Sequence, residues 1–450
     1  MTPPEGVTRV YYVSQAEGAD ETYLETADLL SVDINKDGEH DIIVAAATDR
    51  DFKENIGCIY VTVAPLPTTL MLNLDYDLKI CGAIPGRNVG DDIVVLPDIT
   101  GDGSPDIVFT TRPMGNDCSI VKIFDASLRG RYTDMESYAT ITNDLDCNTE
   151  HPTSIESVAS LGDVSRLALR YYLSSDQREI GLIDARIRGG TSDITSLVIN
   201  TITSPGGSYQ FGTSLTSGHD VNADGYQDIW LADPLAYVDQ KGEIYAFLGP
   251  FTGDMTIEDA DYTFRGEYSS TICDFIPPFP GCYTDGNRIG SIFTVDGDYN
   301  GDGMPDLAVA AKEPWDVIWI VEQPYSEVEY LKGADHELDL DSPIDLGYNI
   351  LAISDINGDG GDELMMFTSP DYLPKVWRTP FRTAPSGNDL CTVHGFEGDL
   401  YFGSNFWKSP DNHYFIYARG TPDRIYEFTH EQLKARIECP SDPSDVKIQP

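Results

Sequence analysis

Five times along this chain, oxygen-bearing residues recur in the order Asp-x-Asn/Thr-x-Asp-Gly-x-x-Asp/Glu. The copies are DINKDGEHD from Asp33, DITGDGSPD from Asp98, DVNADGYQD from Asp220, DYNGDGMPD from Asp298 and DINGDGGDE from Asp355. Positions one, three and five are expected to converge on one point. They are Asp33, Asn35 and Asp37; Asp98, Thr100 and Asp102; Asp220, Asn222 and Asp224; Asp298, Asn300 and Asp302; and Asp355, Asn357 and Asp359. The glycine at position six permits a sharp turn that brings the carbonyl of position seven inward, at Glu39, Ser104, Tyr226, Met304 and Gly361. The acid at position nine, Asp41, Asp106, Asp228, Asp306 or Glu363, closes the shell.

Such a set suits a hard divalent cation with about six to eight oxygen ligands. Acids gathered round one point repel each other unless a cation lies between them. Ca²⁺ is therefore expected at about five sites, one per copy. Mg²⁺ fits less well because it keeps its waters. An EF-hand shares positions one, three, five and six but needs Glu at position twelve and flanking helices. Position twelve here is Val44, Phe109, Leu231, Val309 or Met366, inside apolar runs that read as buried strands.

The elements that must carry these loops repeat with them. The intervals between copies are 65, 122, 78 and 57 residues, and the long one is two periods of 61. A decayed copy is expected in Ser157–Val164, where Asp163 survives, and another unit around Tyr401–Gly420. Seven units result. Within each, a Gly-containing strand enters the acidic loop and a buried strand leaves it. A third strand follows (from Gly242 or Asp316, for example), then a less regular fourth. A period of this length with several strands means a propeller or a solenoid. The run Val7–Val13 precedes the first unit and is expected to supply the outer strand of the last one, closing a ring without exposed edges. One short helix is predicted near the C-terminus, capped by Thr429 and Gln432, with Leu433 and Ile437 on one face. Residues 1–440 read as one domain and 441–450 as a linker or tail.

Composition narrows the partners. The 450 residues carry a formal charge of −46, with 41% hydrophobic residues, enough for a core. That charge disfavours nucleic acid and anionic lipid. No run approaches the roughly 20 apolar residues of a membrane span, so direct membrane insertion is not expected. Eight cysteines without a CxxC pair favour disulfides over zinc. Local pairing is expected: Cys58–Cys81, Cys118–Cys147, Cys273–Cys282 and Cys391–Cys439. Such bonds need an oxidising compartment, so an extracellular or cell-surface location follows. The N-terminus carries no signal peptide, so a secreted protein would be in its mature form here. There is no Asn-x-Ser/Thr sequon.

Phe211-Gly212 and Phe402-Gly403, together with Ala232-Asp233-Pro234, Thr368-Ser369-Pro370 and the five acidic loops, resemble the FG-GAP repeats of integrin α-subunit β-propellers. The resemblance covers nearly the whole chain. It implies an all-β, seven-bladed propeller of four-stranded antiparallel blades, calcium on one rim, and adhesion or ligand binding on the opposite face. The good loops fall in units 1, 2, 4, 5 and 6, whereas integrins carry theirs in later blades.

No other constellation is a strong chemical signal. The chain lacks HExxH, P-loop, GxSxG and dinucleotide motifs, and no catalytic residue is assigned. His40 and His219 lie in or beside acidic loops and read as solvated spacers. Trp315, Trp319 and Trp377 could stack on sugars but read first as packing. The stretch Tyr268–Asn287, with Cys273, Phe279 and Cys282, reads as a pinned surface loop and a candidate contact. The expected function is a non-enzymatic binding or adhesion module for an extracellular protein or glycan. The alternative is a structural subunit that assembles with copies of itself. A polysaccharide-active enzyme is the third reading.

Overall fold

The computed structural model describes residues 3–13, 27–46, 56–112, 118–143, 158–160, 166–174, 177–184, 187–206, 210–236, 241–266, 269–274, 281–286, 288–311, 317–339, 346–368, 373–381, 390–397, 399, 401–420 and 422–439. The protein is a seven-bladed β-propeller. Blade 1 runs Ala27–Val32, Asp41–Ala46, Cys58–Thr62 and Leu78–Cys81, each strand antiparallel to the next. Blades 2 to 6 repeat that order, starting at Ile93–Leu96, Val158–Ser160, Leu215–His219, Ile292–Gly297 and Leu346–Ile353. First strands of neighbouring blades pack on one another, which places them around the axis.

The sequence dictates this through its second strands. Asp41–Ala46, Asp228–Asp233 and Asp306–Ala311 are buried at every position. A strand has two faces, so these runs must be covered on both sides. Ile43 and Ala45 face blade 2, while Ile42, Val44 and Ala46 face blade 7. Likewise Ile229 and Leu231 pack toward blade 3, and Trp230 and Ala232 toward blade 5. The described buried apolar residues form seven clusters, one at each blade interface. A blade cannot bury its faces alone, so the ring has to close.

Closure falls to the N-terminus. Arg9–Val13 pairs antiparallel with Asp423–Thr429 and becomes the fourth strand of blade 7, beside Phe406–Lys408 and His413–Ala418. One buried carboxylate pins it. Glu427 Oε1 accepts from Arg9 Nη1 at 2.7 Å and lies 2.7 Å from His413 Nδ1; its Oε2 accepts from the Tyr11 hydroxyl at 2.5 Å. Burial would raise the Glu427 carboxyl, but the bonds from His413, Tyr11 and Arg9 outweigh it and hold it below the ordinary value of 4.5. The bond to Glu427 raises His413 above 6.5.

Two features differ from expectation. Most blades carry a fifth strand. Thr69–Met71, Gly130–Thr133, Gly190–Asp193, Met255–Thr256 and Val328–Tyr330 each leave the third strand of their own blade and pair in parallel with the outer strand of the preceding one. Four are followed by a 3₁₀ turn, as at Asp134–Glu136 and Ile257–Asp259. The C-terminal helix is His430–Lys434, capped by Thr429 with Leu433 buried. Ile437 is not on it: Ile437–Glu438 forms a two-residue strand on the outer edge of blade 6. Burial of Ile437 against the blade 6–7 core favours the extended chain over another helical turn.

Cys58–Cys81 and Cys391–Cys439 are disulfides, as expected. Cys118 is disulfide-bonded, and Cys147 lies outside the described residues. Cys273 and Cys282 stand opposite each other in a two-stranded hairpin, Ser269–Asp274 with Gly281–Gly286, inserted between blades 4 and 5. Asp163, Trp315 and residues 440–450 also lie outside the described residues. No described helix is long and apolar enough to cross a membrane.

Glu427→Gln should cost about 3 kcal/mol, because it leaves buried partners uncompensated. The carboxylate contribution is present above pH 4.5 and fades as pH falls through the lower folded value. The imidazolium contribution is full below pH 6.5 and fades as pH rises through the higher folded value. Urea unfolding of both proteins should therefore differ most between those limits. A difference that stays flat from acid to alkali would contradict this role.

Candidate metal centres

Each acidic loop joins the first and second strands of its blade, so all five project from the same end of the ring. Each is folded the same way from its own side chains. The first carboxylate collects backbone N–H groups across the turn: Asp33 from Asp37 and Gly38, Asp220 from Asp224 and Gly225, and Asp298 from Gly301, Asp302 and Gly303, at 2.7 to 3.1 Å. Asp98 and Asp355 do likewise. The third residue folds inward. Asn35, Asn222, Asn300 and Asn357 each accept from the N–H of position five and donate to its carboxylate. Thr100 instead donates its N–H to Asp106. The fifth acid accepts from the N–H of position seven at 2.8 to 3.0 Å, in Asp37–Glu39, Asp102–Ser104, Asp224–Tyr226, Asp302–Met304 and Asp359–Gly361.

Glycine at position six has a torsional cause. Gly38, Gly103, Gly225, Gly303 and Gly360 have φ between +87° and +99°. Position four is left-handed too, and there Lys36 and Ala223 take φ of 60° and 57° without being glycine.

The ninth residue is buried in every loop: Asp41, Asp106, Asp228, Asp306 and Glu363 have no accessible surface. One oxygen accepts from the N–H of position two, at Ile34, Ile99, Val221, Tyr299 or Ile356. In three blades the other accepts from the end of the third strand, from Ala64, Gly249 or Gln323. Each of these residues precedes a proline, as does Thr379 in blade 6. In blades 1, 4 and 5 this X-Pro marks the partner of the ninth acid, and it was legible in the sequence. Asp106 Oδ1 and Glu363 Oε1 have no hydrogen-bond partner among the described residues.

Carboxylates converge most closely in blade 6. Oxygens of Asp355, Asp359 and Glu363 lie within 4.8 Å of one another. No other described trio meets that spacing, although five convergent sets were expected. Glutamate is one methylene longer than aspartate, which lets Glu363 reach its neighbours. Elsewhere the shorter Asp is drawn to the backbone. Thr379 Oγ1 adds an oxygen 3.1 Å from Asp359 Oδ1.

Electrostatics follow the same geometry. Burial pushes Glu363 up to about 8, helped by Asp355, Asp359 and Asp362. Burial likewise lifts Asp306 to about 7 and Asp228 to about 6, and raises Asp41 and Asp106. At Asp355 burial acts in the same sense, but the N–H groups of Gly358, Gly360, Asp359 and Asn357 outweigh it and hold the carboxyl low. A buried acid with an unpaired oxygen, beside two further acids, fits a divalent cation. The charge of the ion would offset both burial and mutual repulsion.

Contacts between loops went unread in the sequence. Lys36 Nζ donates to Gly103 O at 2.6 Å, and Gln323 Nε2 donates to Val221 O and Pro305 O. His40 sits at the seam with blade 7 rather than as a plain spacer, with Nδ1 3.3 Å from Ser31 Oγ and 3.9 Å from Asp411 Oδ1. The side chain of His219 lies outside the described residues. Trp319 and Trp377 are buried in blade interfaces and cannot stack on sugars. No protein-family model and no curated protein matches the chain.

Ala223 is exposed and its strain is torsional, so Ala223→Gly should stabilise by about 1 kcal/mol. A Cβ at Gly303 would meet nothing within 4 Å. Gly303→Ala should therefore destabilise by about the same amount through φ alone. Thermal unfolding checks both, and equal signs for the two changes would contradict the left-handed turn.

Proposed function

We propose that this propeller is a calcium-stiffened extracellular binding or adhesion module of FG-GAP type. The observation that carries the reading is the blade 6 loop, where Asp355, Asp359 and Glu363 converge and Glu363 Oε1 has no partner among the described residues. The other four loops repeat its hydrogen-bonded turn. Asp355, Asp359, Glu363, the side-chain oxygen of Asn357 and the carbonyl of Gly361 would hold the ion. One such ion in each loop would let the five buried acids stay ionised and fix one end of the ring.

The disulfides Cys58–Cys81 and Cys391–Cys439 support an oxidising compartment. A rigid ring leaves recognition to the connections at its other end. The hairpin at 269–286 joins the fourth strand of blade 4 to the first of blade 5, which is that end. A protein or glycan partner is proposed to dock there, without chemical turnover.

Calcium binds the folded loops and hardly the unfolded chain, so it should add about 2.7 kcal/mol per site at a hundredfold excess over Kd. Melting curves in calcium and in chelator should separate widely at pH 8. Without the ion, the raised ninth acids favour the folded state once protonated. The chelated protein should therefore gain stability as pH falls through about 8, 7 and 6. In calcium, protons compete with the ion, so the gap should close on acidification. Coincident curves at pH 8 would refute the calcium reading. For the partner, retention on immobilised extracellular glycans or matrix proteins should vanish when 269–286 is replaced by a short linker. Undiminished retention would refute docking at the hairpin.

A further inference from the structure

Two of the acidic loops touch through their backbones. Asp298 is the first residue of the blade 5 loop, and Asp362 is the eighth of the blade 6 loop. The Asp362 N–H donates to Asp298 O at 2.7 Å, and the Asp298 N–H donates to Asp362 Oδ2 at 3.2 Å. The loops also close on each other sterically. A Cβ on Gly301 would stand 2.8 Å from Gly360 O, and one on Gly361 would stand 2.6 Å from Tyr299 O. Gly361 does not have positive φ. Its lack of a side chain is explained by this approach. Tyr299 itself is buried against Phe381, so it offers a firm wall.

Blades 1 and 2 provide the contrast. Their loops are bridged by the exposed side chain of Lys36. A Cβ on Gly101, which holds in the blade 2 loop the place of Gly301, would meet nothing within 4 Å.

We infer that the loops of blades 5 and 6 form one coupled cation-binding unit, with Asp362 as the positioning residue that links them. The inference rests on the calcium reading above. Asp362 occupies no ligand position. It stands between Gly361 and Glu363, the seventh and ninth residues of its own loop. A cation in the blade 5 loop fixes Asp298. Fixing Asp298 orders the Asp362 backbone, and with it the two donors on either side. The second loop then binds with part of its ordering already done. Linkage makes the effect reciprocal, with couplings of this kind on the order of five- to 150-fold.

The test is a calcium titration of the chelated, full chain, followed by native mass spectrometry that counts bound ions. In the wild type, two ions should enter together. Asp302→Ala removes one blade 5 ligand, and should also weaken the blade 6 site about tenfold. Asp37→Ala should weaken only its own loop. Asp362→Ala leaves every ligand and the Asp362 N–H bond to Asp298 O in place, removes only the acceptor of the Asp298 N–H, and should weaken joint entry. Asp362→Asn keeps an acceptor oxygen for the Asp298 N–H and should restore joint entry, which separates a lost bond from a disturbed fold. Asp302→Ala protein that loses one ion while every other affinity stays unchanged would overturn the coupling alone. An Asp362→Ala titration superimposable on the wild type would overturn the Asp362 side chain as the linking group. A wild type that binds no calcium would overturn the coupling and the calcium reading together.

Discussion

A carboxyl group with no accessible surface sits at the foot of the second strand in five of the seven blades. The rest of each loop is arranged around it. Its bond to the N–H of position two sets where the loop begins. In three blades its other bond, to the end of the third strand, ties that strand to the loop. Burying such a group is costly unless hydrogen bonds or a counter-charge compensate. Backbone N–H groups supply part of that compensation, and the unpaired oxygens of Asp106 and Glu363 show where it is incomplete. A cation at the loop centre would complete it.

The ring amplifies what each loop does. Second strands are buried on both faces, so each blade depends on two neighbours and the seven cores form a closed cycle. The seam at blade 7 is held by a second buried carboxylate, Glu427, whose partners come from two strands of that blade. Parallel strands from the following blade reinforce the outer edges.

Much of this was legible in the sequence because it is local or periodic. The loops, the buried runs after them and the unit length identify the propeller. Val7–Val13 had no partner in its own unit, which pointed to closure. Cys58 and Cys81 could be paired because they lie on adjacent strands of one unit, where they stand directly opposite. What stayed hidden depends on neighbouring blades. Thr69–Met71 and Met255–Thr256 are two or three residues long, and only the adjacent blade gives them a reason to extend. Ile437 follows helical spacing, yet tertiary burial makes it a strand. The reach of Glu363 and the role of Asp362 follow from distances that no linear pattern encodes.

An X-ray structure of crystals grown in calcium, with data collected for anomalous differences, tests the central claim most directly. An ion between Asp355, Asp359 and Glu363, with others in the four remaining loops, is the predicted result. Loops without anomalous density, their ninth acids still bonded only to backbone N–H groups, would contradict it.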